Sequence, residues 1–223
     1  MKTNPAARTR ILLVEDHQIV RQGIARIING EPDMEVCAEV GNASEALKYL
    51  ASHKPDLVLT DISLGGMNGI EFLKHLKAEY PDVPAVVLSM HDEALYAERA
   101  LRAGALAFVM KKEGSDEVLA AIRKARAGEF HVSDKVGGGI FQKFLSSKRP
   151  VESPMARLSD RELEVFELLG HGKGSKEIAA ELHLSVKTVD THRTHIKAKL
   201  DLRSVPEMIQ CAVQWVEREN TGI

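Results

Sequence analysis

Five side chains that can do chemistry stand at the ends of short apolar runs in the first half of the sequence. Glu15 and Asp16 follow one run, and Asp61, Ser89 and Lys111 each end or follow another. Carboxylates gathered at one place repel one another unless a cation lies among them, and Mg²⁺ prefers such oxygen ligands. A carboxylate beside Mg²⁺ can attack a phosphoryl group, while a lysine and a hydroxyl hold the phosphoryl oxygens. These residue types therefore fit phosphoryl transfer to an aspartate.

Taken one at a time, these residues have more ordinary interpretations. A single aspartate such as Asp16 or Asp61 at a strand end is about as often a helix cap or a turn residue. A single Lys111 is usually a solvated surface charge, and a single Ser89 is usually a turn residue. Their joint occurrence at four strand ends favours a shared site over four unrelated turns.

The elements that would position these side chains alternate along residues 10–128. Apolar runs predict strands, and the segments between them have the periodicity of helices. Asn42 with Glu45, and Ser115, mark predicted helix starts. This alternation predicts a parallel sheet with helices on both faces and chemistry at the carboxyl ends of the strands. The five predicted strands are Ile11–Val14, Met34–Val40, Leu57–Thr60, Ala85–Ser89 and Ala105–Met110.

The second half of the sequence has a different organisation. A polar stretch with prolines, from Ser146 to Pro154, predicts a linker, and residues 133–145 before it predict a short or broken helix because they contain three consecutive glycines. Beyond the linker, Ser159 and Glu162 form a predicted capping box that starts the first of four short helices. The predicted domains are residues 9–130, a helix and linker at 131–156, and a small all-α domain at 157–221.

Composition restricts the protein's class. The formal net charge is −2, so nucleic-acid binding would need a local basic patch. Cys37 and Cys211 have no metal-ligand spacing and predict reduced structural thiols. The first ten residues are polar, unlike a signal peptide, and no apolar run approaches the ~20 residues of a membrane span. The sequence predicts a cytoplasmic protein with no membrane partner.

The first half resembles the response-regulator receiver domain, which has a flavodoxin-like (βα)5 fold. The resemblance rests on four segments that match the family's acidic pair, phosphoacceptor, switch hydroxyl and terminal lysine. Those segments are Leu12-Leu13-Val14-Glu15-Asp16-His17, Asp61-Ile62-Ser63-Leu64-Gly65-Gly66-Met67-Asn68-Gly69, Leu88-Ser89, and Gly104-Ala105-Leu106-Ala107-Phe108-Val109-Met110-Lys111.

This resemblance implies a role for each site residue. Asp61 is the implied phosphoacceptor, with Ser89 and Lys111 beside it, and Phe108 is the aromatic that moves inward on activation, although a plain core aromatic is the simpler interpretation. One departure is Gly65, which stands where the family usually has proline, so the loop is expected to be less rigid. The implied Mg²⁺ ligands are Glu15, Asp16, Asp61 and the carbonyl of Ser63.

The last helices resemble the LuxR-type helix-turn-helix, so the whole chain resembles a NarL/FixJ-type response regulator. At about 100° per residue, Val189, Ile196 and Leu200 of the predicted recognition helix share one core-facing stripe. The opposite face would enter the major groove of double-stranded DNA. The matching segments are Leu158 to Glu162, Ser175 to Ala179 and Ser185 to His192, continuing into Ile196, Lys199 and Leu200. The predicted DNA contacts are Lys187, Thr188, Asp190, Thr191, Thr194 and Lys197.

Some residues of this second domain keep two interpretations. Arg193 is predicted either as a DNA contact or as the partner of an acid on the first helix, Glu162 or Glu164. His192 flanks the core and is predicted as a satisfied structural histidine. Asp190, where the family often has lysine, either repels phosphates or accepts a hydrogen bond from a cytosine amino group. In the last helix, Met208, Cys211, Ala212 and Trp215 are more often core than a dimer interface.

The resemblance implies a two-component regulator of transcription. A sensor histidine kinase or a small phosphodonor would phosphorylate Asp61, and the active form would be a homodimer on DNA. Such a phosphoprotein is not an enzyme in the ordinary sense, because its chemistry is limited to self-phosphorylation and slow autodephosphorylation. A haloacid-dehalogenase-like phosphatase is the first rival, but it would need Asp-x-Asp after the first strand. A ligand-sensing quorum regulator is the second rival, and it would need a different N-terminal fold.

Overall fold

Five short apolar strands pair into one sheet in the first half of the chain. The computed structural model describes residues 8–90, 93–134, 136–138 and 154–221, and the chain divides into two units at about residue 142. The strands all pair in parallel, in the order β2-β1-β3-β4-β5, and all except β2, which is mostly half-buried, are mostly or fully buried. This confirms the predicted flavodoxin-like sheet. The strands are β1 (Thr9–Val14), β2 (Met34–Val40), β3 (Leu57–Thr60), β4 (Ala85–Ser89) and β5 (Ala107–Met110).

The start of β5 corrects one predicted boundary. The strand begins at Ala107 and not at Ala105, because the N–H of Ala105 donates to the carbonyl of Ala100 and closes the preceding helix. Gly104 has φ +116°, a conformation that side chains with a Cβ rarely adopt. Ala105 and Leu106, which the apolar pattern assigns to the strand, therefore belong to the turn before it.

Five helices follow the five strands. Asn42 caps the second helix by accepting from the N–H of Glu45 at 2.9 Å, as predicted. The fifth helix starts at Ser115, as predicted, and Gly114 holds the cap position before it without a side-chain bond. The helices are α1 (Gln18–Asn29), α2 (Ala43–Leu50), α3 (Gly69–Glu79), α4 (Glu93–Ala103) and α5 (Ser115–Arg126).

The chain beyond α5 returns along the free edge of β5. The N–H of Phe108 donates to the carbonyl of His131 at 3.0 Å, and the N–H of His131 donates to the carbonyl of Leu106 at 3.0 Å. Ser133 then bonds the carboxylate of Glu93 through its hydroxyl, at 2.6 Å, and through its N–H, at 3.1 Å. The segment therefore covers the exposed strand edge and contacts the start of α4. Residues 134 and 136–138 are helical, whereas residues 135 and 139–145 of the predicted helix and nearly all of the predicted linker lie outside the described residues.

The described part of the second unit, residues 154–221, contains four helices after a short 3-10 turn (Pro154–Arg157). Ser159 and Glu162 form the predicted capping box. Gly170 allows close helix packing, because a Cβ there would lie 2.6 Å from the carbonyl oxygen of Ala212. The helices are α6 (Asp160–Gly170), α7 (Ser175–Glu181), α8 (Val186–Lys199) and α9 (Val205–Thr221).

Within the described ranges, no helix is both long enough and apolar enough to cross a lipid bilayer.

Candidate phosphoryl site and nucleic-acid interface

Lys111 joins the carboxylates of two different strand ends. Its Nζ donates to Glu15 Oε2 at 2.6 Å and to Asp61 Oδ2 at 2.8 Å. Glu15 is 1% exposed and Asp61 is 4% exposed. Burial and the charge of Asp61 raise the pKa of Glu15. Burial alone would lower the pKa of Lys111, but Asp61 and Glu15 outweigh it and hold that pKa above its usual range. Three of the residues predicted from strand ends are thus one buried cluster.

The backbone fixes the position of Asp61. Its N–H donates to the carbonyl of Val14 at 3.0 Å, and its Oδ1 accepts from the N–H of Ile62 at 2.6 Å. The N–H of Gly69, the first residue of α3, donates to the carbonyl of Ile62 at 2.7 Å. Thr60 Oγ1 donates to the carbonyl of Asp61 at 3.0 Å. One carboxylate oxygen of Asp61 is therefore held by the backbone while the other faces Lys111.

The acidic pair after β1 offers oxygen ligands to a cation. Glu15, Asp16 and His17 each have one ligand atom within 4.8 Å of the others. Asp16 Oδ1 is buried and accepts no hydrogen bond of normal geometry from the described residues, although His17 Nδ1 lies 2.8 Å away. A buried carboxylate oxygen without a donor is costly unless a cation or water satisfies it. This oxygen fits a metal ligand.

The remaining predicted site residues lie on the same sheet edge or just beneath it. Ser89 is buried at the end of β4, and its backbone carbonyl accepts from the N–H of Lys111 at 2.8 Å. Phe108 is 1% exposed in β5, so its side chain already lies inside the fold. Ser63 is half-buried in the loop after Asp61. In that loop the left-handed residue is Gly66, with φ +82°, and not Gly65.

Two residues that position the site were not singled out from the sequence. Arg21 on α1 donates from Nη1 to the carbonyl of Glu15. At Gly69, a Cβ would lie 2.1 Å from the carbonyl oxygen of Asp61, so only glycine fits this contact. Gly69 is part of the segment that resembles the phosphoacceptor motif, but the need for glycine at this position arises from packing against the backbone of Asp61 and Ile62. The spacing of Arg21, six residues after Glu15 on an amphipathic helix, carries no distinctive signal.

The recognition helix α8 exposes the predicted face. Lys187, Thr191, Thr194 and Ala198 are exposed, whereas Val189 and Ile196 are fully buried. The hydroxyls of Thr191 and Thr194 donate to carbonyls one turn earlier in the same helix, at 3.0 Å and 2.9 Å. The helical spacing thus placed the buried and exposed sides correctly, with Leu200 half-buried at the end of the stripe.

The expected acidic partner of Arg193 was wrong. Glu162 is engaged by Lys199 at 2.6 Å, and Glu164 is engaged by Arg161 at 2.6 Å. Each of these two buried acids is therefore already paired with a cation. Arg193 instead contacts Ser175, at the start of α7, and Asp190, which lies three residues earlier on α8.

The apolar stripe of α9 belongs mostly to the core. Met208 and Ala212 are fully buried, and Trp215 packs on Phe166 with ring centroids 5.8 Å apart. Cys211 is half-buried. The exposed apolar side chains of this helix are Val205 and Ile209, each 38% exposed. A contact between two copies through α9 would therefore use this neighbouring face.

His192 departs from the expected satisfied histidine. It is half-buried, and its Nδ1 is buried without a hydrogen-bond partner among the described residues. Burial, followed by the positive charge of Arg161, lowers its pKa below the usual 6.5. The folded helical unit therefore resists protonation of this imidazole.

This depressed pKa predicts a pH-dependent stability. The unfolded chain takes up a proton at about pH 6.5, before the folded chain does, so the free energy of unfolding is full above that pH and falls as the pH drops toward the folded pKa. Trp215 is the single tryptophan, so its fluorescence during urea unfolding reports on this unit alone. We expect a lower urea midpoint at about pH 5.5 than at about pH 7.5.

The control variants separate His192 from its neighbours. In His192→Gln the urea midpoint should fall much less between about pH 7.5 and about pH 5.5 than in the wild type. In His195→Gln, which changes an exposed histidine beside Glu162, it should fall as in the wild type. The pKa of Glu162 is lowered from 4.5 because Lys199 and the Ser159 N–H outweigh its burial. Its stabilisation is therefore lost only at more acidic pH. An unchanged decrease in His192→Gln would contradict the assignment.

Comparison with known proteins agrees with both halves. The family described as "Response regulator receiver domain" matches residues 11–123, and "Bacterial regulatory proteins, luxR family" matches residues 156–212. The chain is 35% identical over 210 residues to the oxygen regulatory protein NreC of Staphylococcus haemolyticus, covering 92% of this chain and 97% of NreC.

Solved structures give the same result for the fold. A LuxR-family two-component response regulator from Aurantimonas sp. SI85-9A1 is 32% identical with a TM-score of 0.58, covering 63% of this chain and 100% of that chain. The RcsB response regulator of Salmonella typhimurium, 21% identical with a TM-score of 0.66, covers 93% of this chain and 98% of its own.

These matches exclude the phosphatase and the ligand-sensing quorum regulator, because each would need a different N-terminal half. The sheet, the helical unit and the two family matches lead to one assignment: the chain belongs to the response-regulator family, with a receiver domain followed by a luxR-type DNA-binding domain.

Proposed function

We propose that this response regulator is switched by phosphorylation of Asp61 and that the switch controls sequence-specific binding to promoter DNA. The observation that carries the proposal is the double contact of Lys111 with Glu15 and Asp61, at 2.6 Å and 2.8 Å. A lysine whose side chain is only 11% exposed and which spans two strand ends is placed to hold a charged group added to Asp61. The phosphodonor is a sensor histidine kinase or a small acyl phosphate.

The residues after β1 fit a resident Mg²⁺. Glu15, Asp16, Asp61 and the carbonyl of Ser63 would hold it, and the buried Asp16 Oδ1 without a donor supports that set. When bound, the ion neutralises the negative charge of the phosphoryl oxygens next to the carboxylates. Lys111 supplies a second positive charge beside Glu15 and Asp61.

The chain's own groups account for the transfer. Asp61 Oδ1 stays fixed by the N–H of Ile62, so the reacting oxygen is Oδ2, which lies beside Lys111 Nζ. Oδ2 attacks phosphorus, the bond from phosphorus to the donor breaks, and the donor leaves with that electron pair. The ammonium of Lys111 then passes from the carboxylate to a phosphoryl oxygen, with the Ser89 hydroxyl as a second donor. Slow hydrolysis of the acyl phosphate resets the switch.

The output surface of the proposal is the face formed by α4, β5 and α5. Glu93 begins α4 four residues after Ser89, and it bonds Ser133 at 2.6 Å. Phe108 lies on β5, where its N–H donates to the carbonyl of His131. A shift of the Ser89 loop toward the phosphoryl group therefore acts directly on the segment that leaves the receiver domain. The active form is a homodimer, which the exposed Val205 and Ile209 of α9 support.

Selection of DNA fragments tests the whole proposal. We expect protein phosphorylated with acetyl phosphate and Mg²⁺ to enrich fragments that share paired half-sites, and to bind them with two protomers per site in sedimentation. The unphosphorylated protein and Asp61→Ala should enrich them weakly. Equal enrichment by all three proteins would refute phosphorylation control, and no enrichment by any of them would refute sequence-specific binding.

A second expected result concerns the electrostatics of α8. Residues 185–203 contain five basic and two acidic residues, against a net charge of −2 for the chain. Lys199 and Arg193 are engaged by acids, which leaves the exposed Lys187 and the half-buried Lys197 on α8, and Arg203 beyond the end of that helix. Replacing Lys197 with alanine should flatten the slope of log affinity against log salt by about 0.9 per protomer and weaken all sequences alike.

Titrations at several salt concentrations measure this slope. Lys48→Ala removes an exposed lysine of the receiver domain and serves as the control, with an unchanged slope. If Lys197→Ala also leaves the slope unchanged, the proposed face of α8 is wrong.

A further inference from the structure

A three-residue cluster joins the two helices of the helix-turn-helix. Ser175, at the start of α7, donates from Oγ to Asp190 Oδ1 at 2.9 Å. Arg193 Nη1 donates to the same Ser175 Oγ and lies 3.7 Å from Asp190 Oδ1. Arg193 is 20% exposed, whereas Asp190 is 58% exposed. The guanidinium is thus drawn against the protein, and the carboxylate stays at the surface.

This arrangement removes a cation from the exposed face of α8. Arg193 follows Asp190 by one helical turn, so the pair also has the favourable spacing of neighbouring side chains on a helix. The guanidinium keeps its charge, but the carboxylate cancels it within the pair, and the bonds to Ser175 and Asp190 limit its freedom to reach a phosphate. The remaining carboxylate repels phosphates in addition.

We infer that Asp190 is a specificity-determining residue that restrains Arg193 and thereby lowers affinity for DNA of any sequence. The inference rests on the proposed DNA-facing surface of α8. Binding to random DNA comes almost entirely from phosphate contacts, so suppressing one such contact per protomer weakens random DNA most. When binding to random DNA is weak, the position of the protein on DNA is set by the base contacts of the exposed face of α8 and by the pairing of two protomers.

The rival role of Asp190 makes an opposite prediction. A carboxylate that accepts from a cytosine amino group would strengthen one operator sequence and leave random DNA unaffected. The contact with Ser175 occupies Oδ1 of Asp190 and leaves Oδ2 open at the surface. The two roles are separated by measuring affinity for random-sequence duplex.

Asp190→Asn in the full-length protein tests the inference. Asparagine keeps an acceptor for Ser175 but loses the charge that holds Arg193. We expect random-sequence duplex to bind about fivefold to tenfold more tightly at low salt, with a salt slope steeper by about 0.9 per protomer. Arg193→Ala alone should change the slope little, and the double variant Asp190→Asn, Arg193→Ala should return it to the native value.

Asp201→Asn is the matched control. It also removes one carboxylate that pairs with an arginine, Arg157 at 3.4 Å, and asparagine tolerates the left-handed backbone there, with φ 56°. Its salt slope should stay native. Urea unfolding followed by Trp215 fluorescence checks that each variant keeps its helical domain.

Each other outcome overturns the inference. A steeper slope that persists without Arg193 means simple repulsion by Asp190, and an equal change in Asp201→Asn means a general charge effect. Unchanged binding of random duplex with a weaker selected fragment assigns Asp190 to base reading. If the folded wild type and every variant fail to bind any duplex, the proposed DNA-facing surface itself is refuted.

Discussion

Asp61→Ala is expected to take up no phosphate under conditions in which the wild-type protein takes up one. The reason is chemical, since alanine has no oxygen that can attack phosphorus. The buried site should survive the change, because the charge of Asp61 is one cause of the raised pKa of Glu15 and Lys111 keeps its contact with Glu15. Intact mass after incubation with acetyl phosphate and Mg²⁺ measures the uptake directly.

A matched aspartate removes the remaining ambiguity. Asp82 is exposed in the turn between α3 and β4, at the opposite end of the strands from Asp61. Asp82→Ala should take up one phosphate, like the wild type. Stoichiometric labelling of Asp61→Ala would show that another side chain is the acceptor.

The order of elements and the composition of the site could be predicted from the sequence because both depend on local pattern. Apolar runs of four to seven residues specify buried strands, and parallel strands bring their carboxyl ends to one edge. Asp61 and Lys111 had to meet once that topology was correct. The exposed face of α8 followed in the same way from helical spacing around Val189 and Ile196.

The sequence could not predict which of several neighbouring groups would form a given ion pair or backbone hydrogen bond. The sequence offered Arg193 two acids, Glu162 and Glu164, but in the structure Lys199 and Arg161 engage those carboxylates. Arg193 contacts Asp190 instead. The start of β5 likewise depended on a backbone bond of Ala105 that closes α4. These outcomes depend on distances of a few ångströms, which residue types and spacing do not encode.

The same limit applies to Gly69, where packing and not backbone conformation demands glycine. A Cβ there would lie 2.1 Å from the carbonyl oxygen of Asp61 and 2.7 Å from the Cα of Ile62, and real Cβ contacts stay beyond 3.0 Å. Both obstacles are backbone atoms, which cannot rotate away as a side chain would. The loop after β3 must therefore move by about 1 Å, and a misplacement of that size costs about 10²-fold in rate.

Gly69→Ala should consequently slow the uptake of phosphate from acetyl phosphate by about 10²-fold, followed as intact mass against time. It should also destabilise the receiver domain by about 1–3 kcal/mol through overpacking. Gly23→Ala is the matched control, because Gly23 lies inside α1 and a Cβ added there would have nothing within 4 Å. Alanine at that position should add about 1 kcal/mol of helix stability and keep the native rate. A native rate in Gly69→Ala would mean that the position of the Asp61 backbone does not limit the transfer.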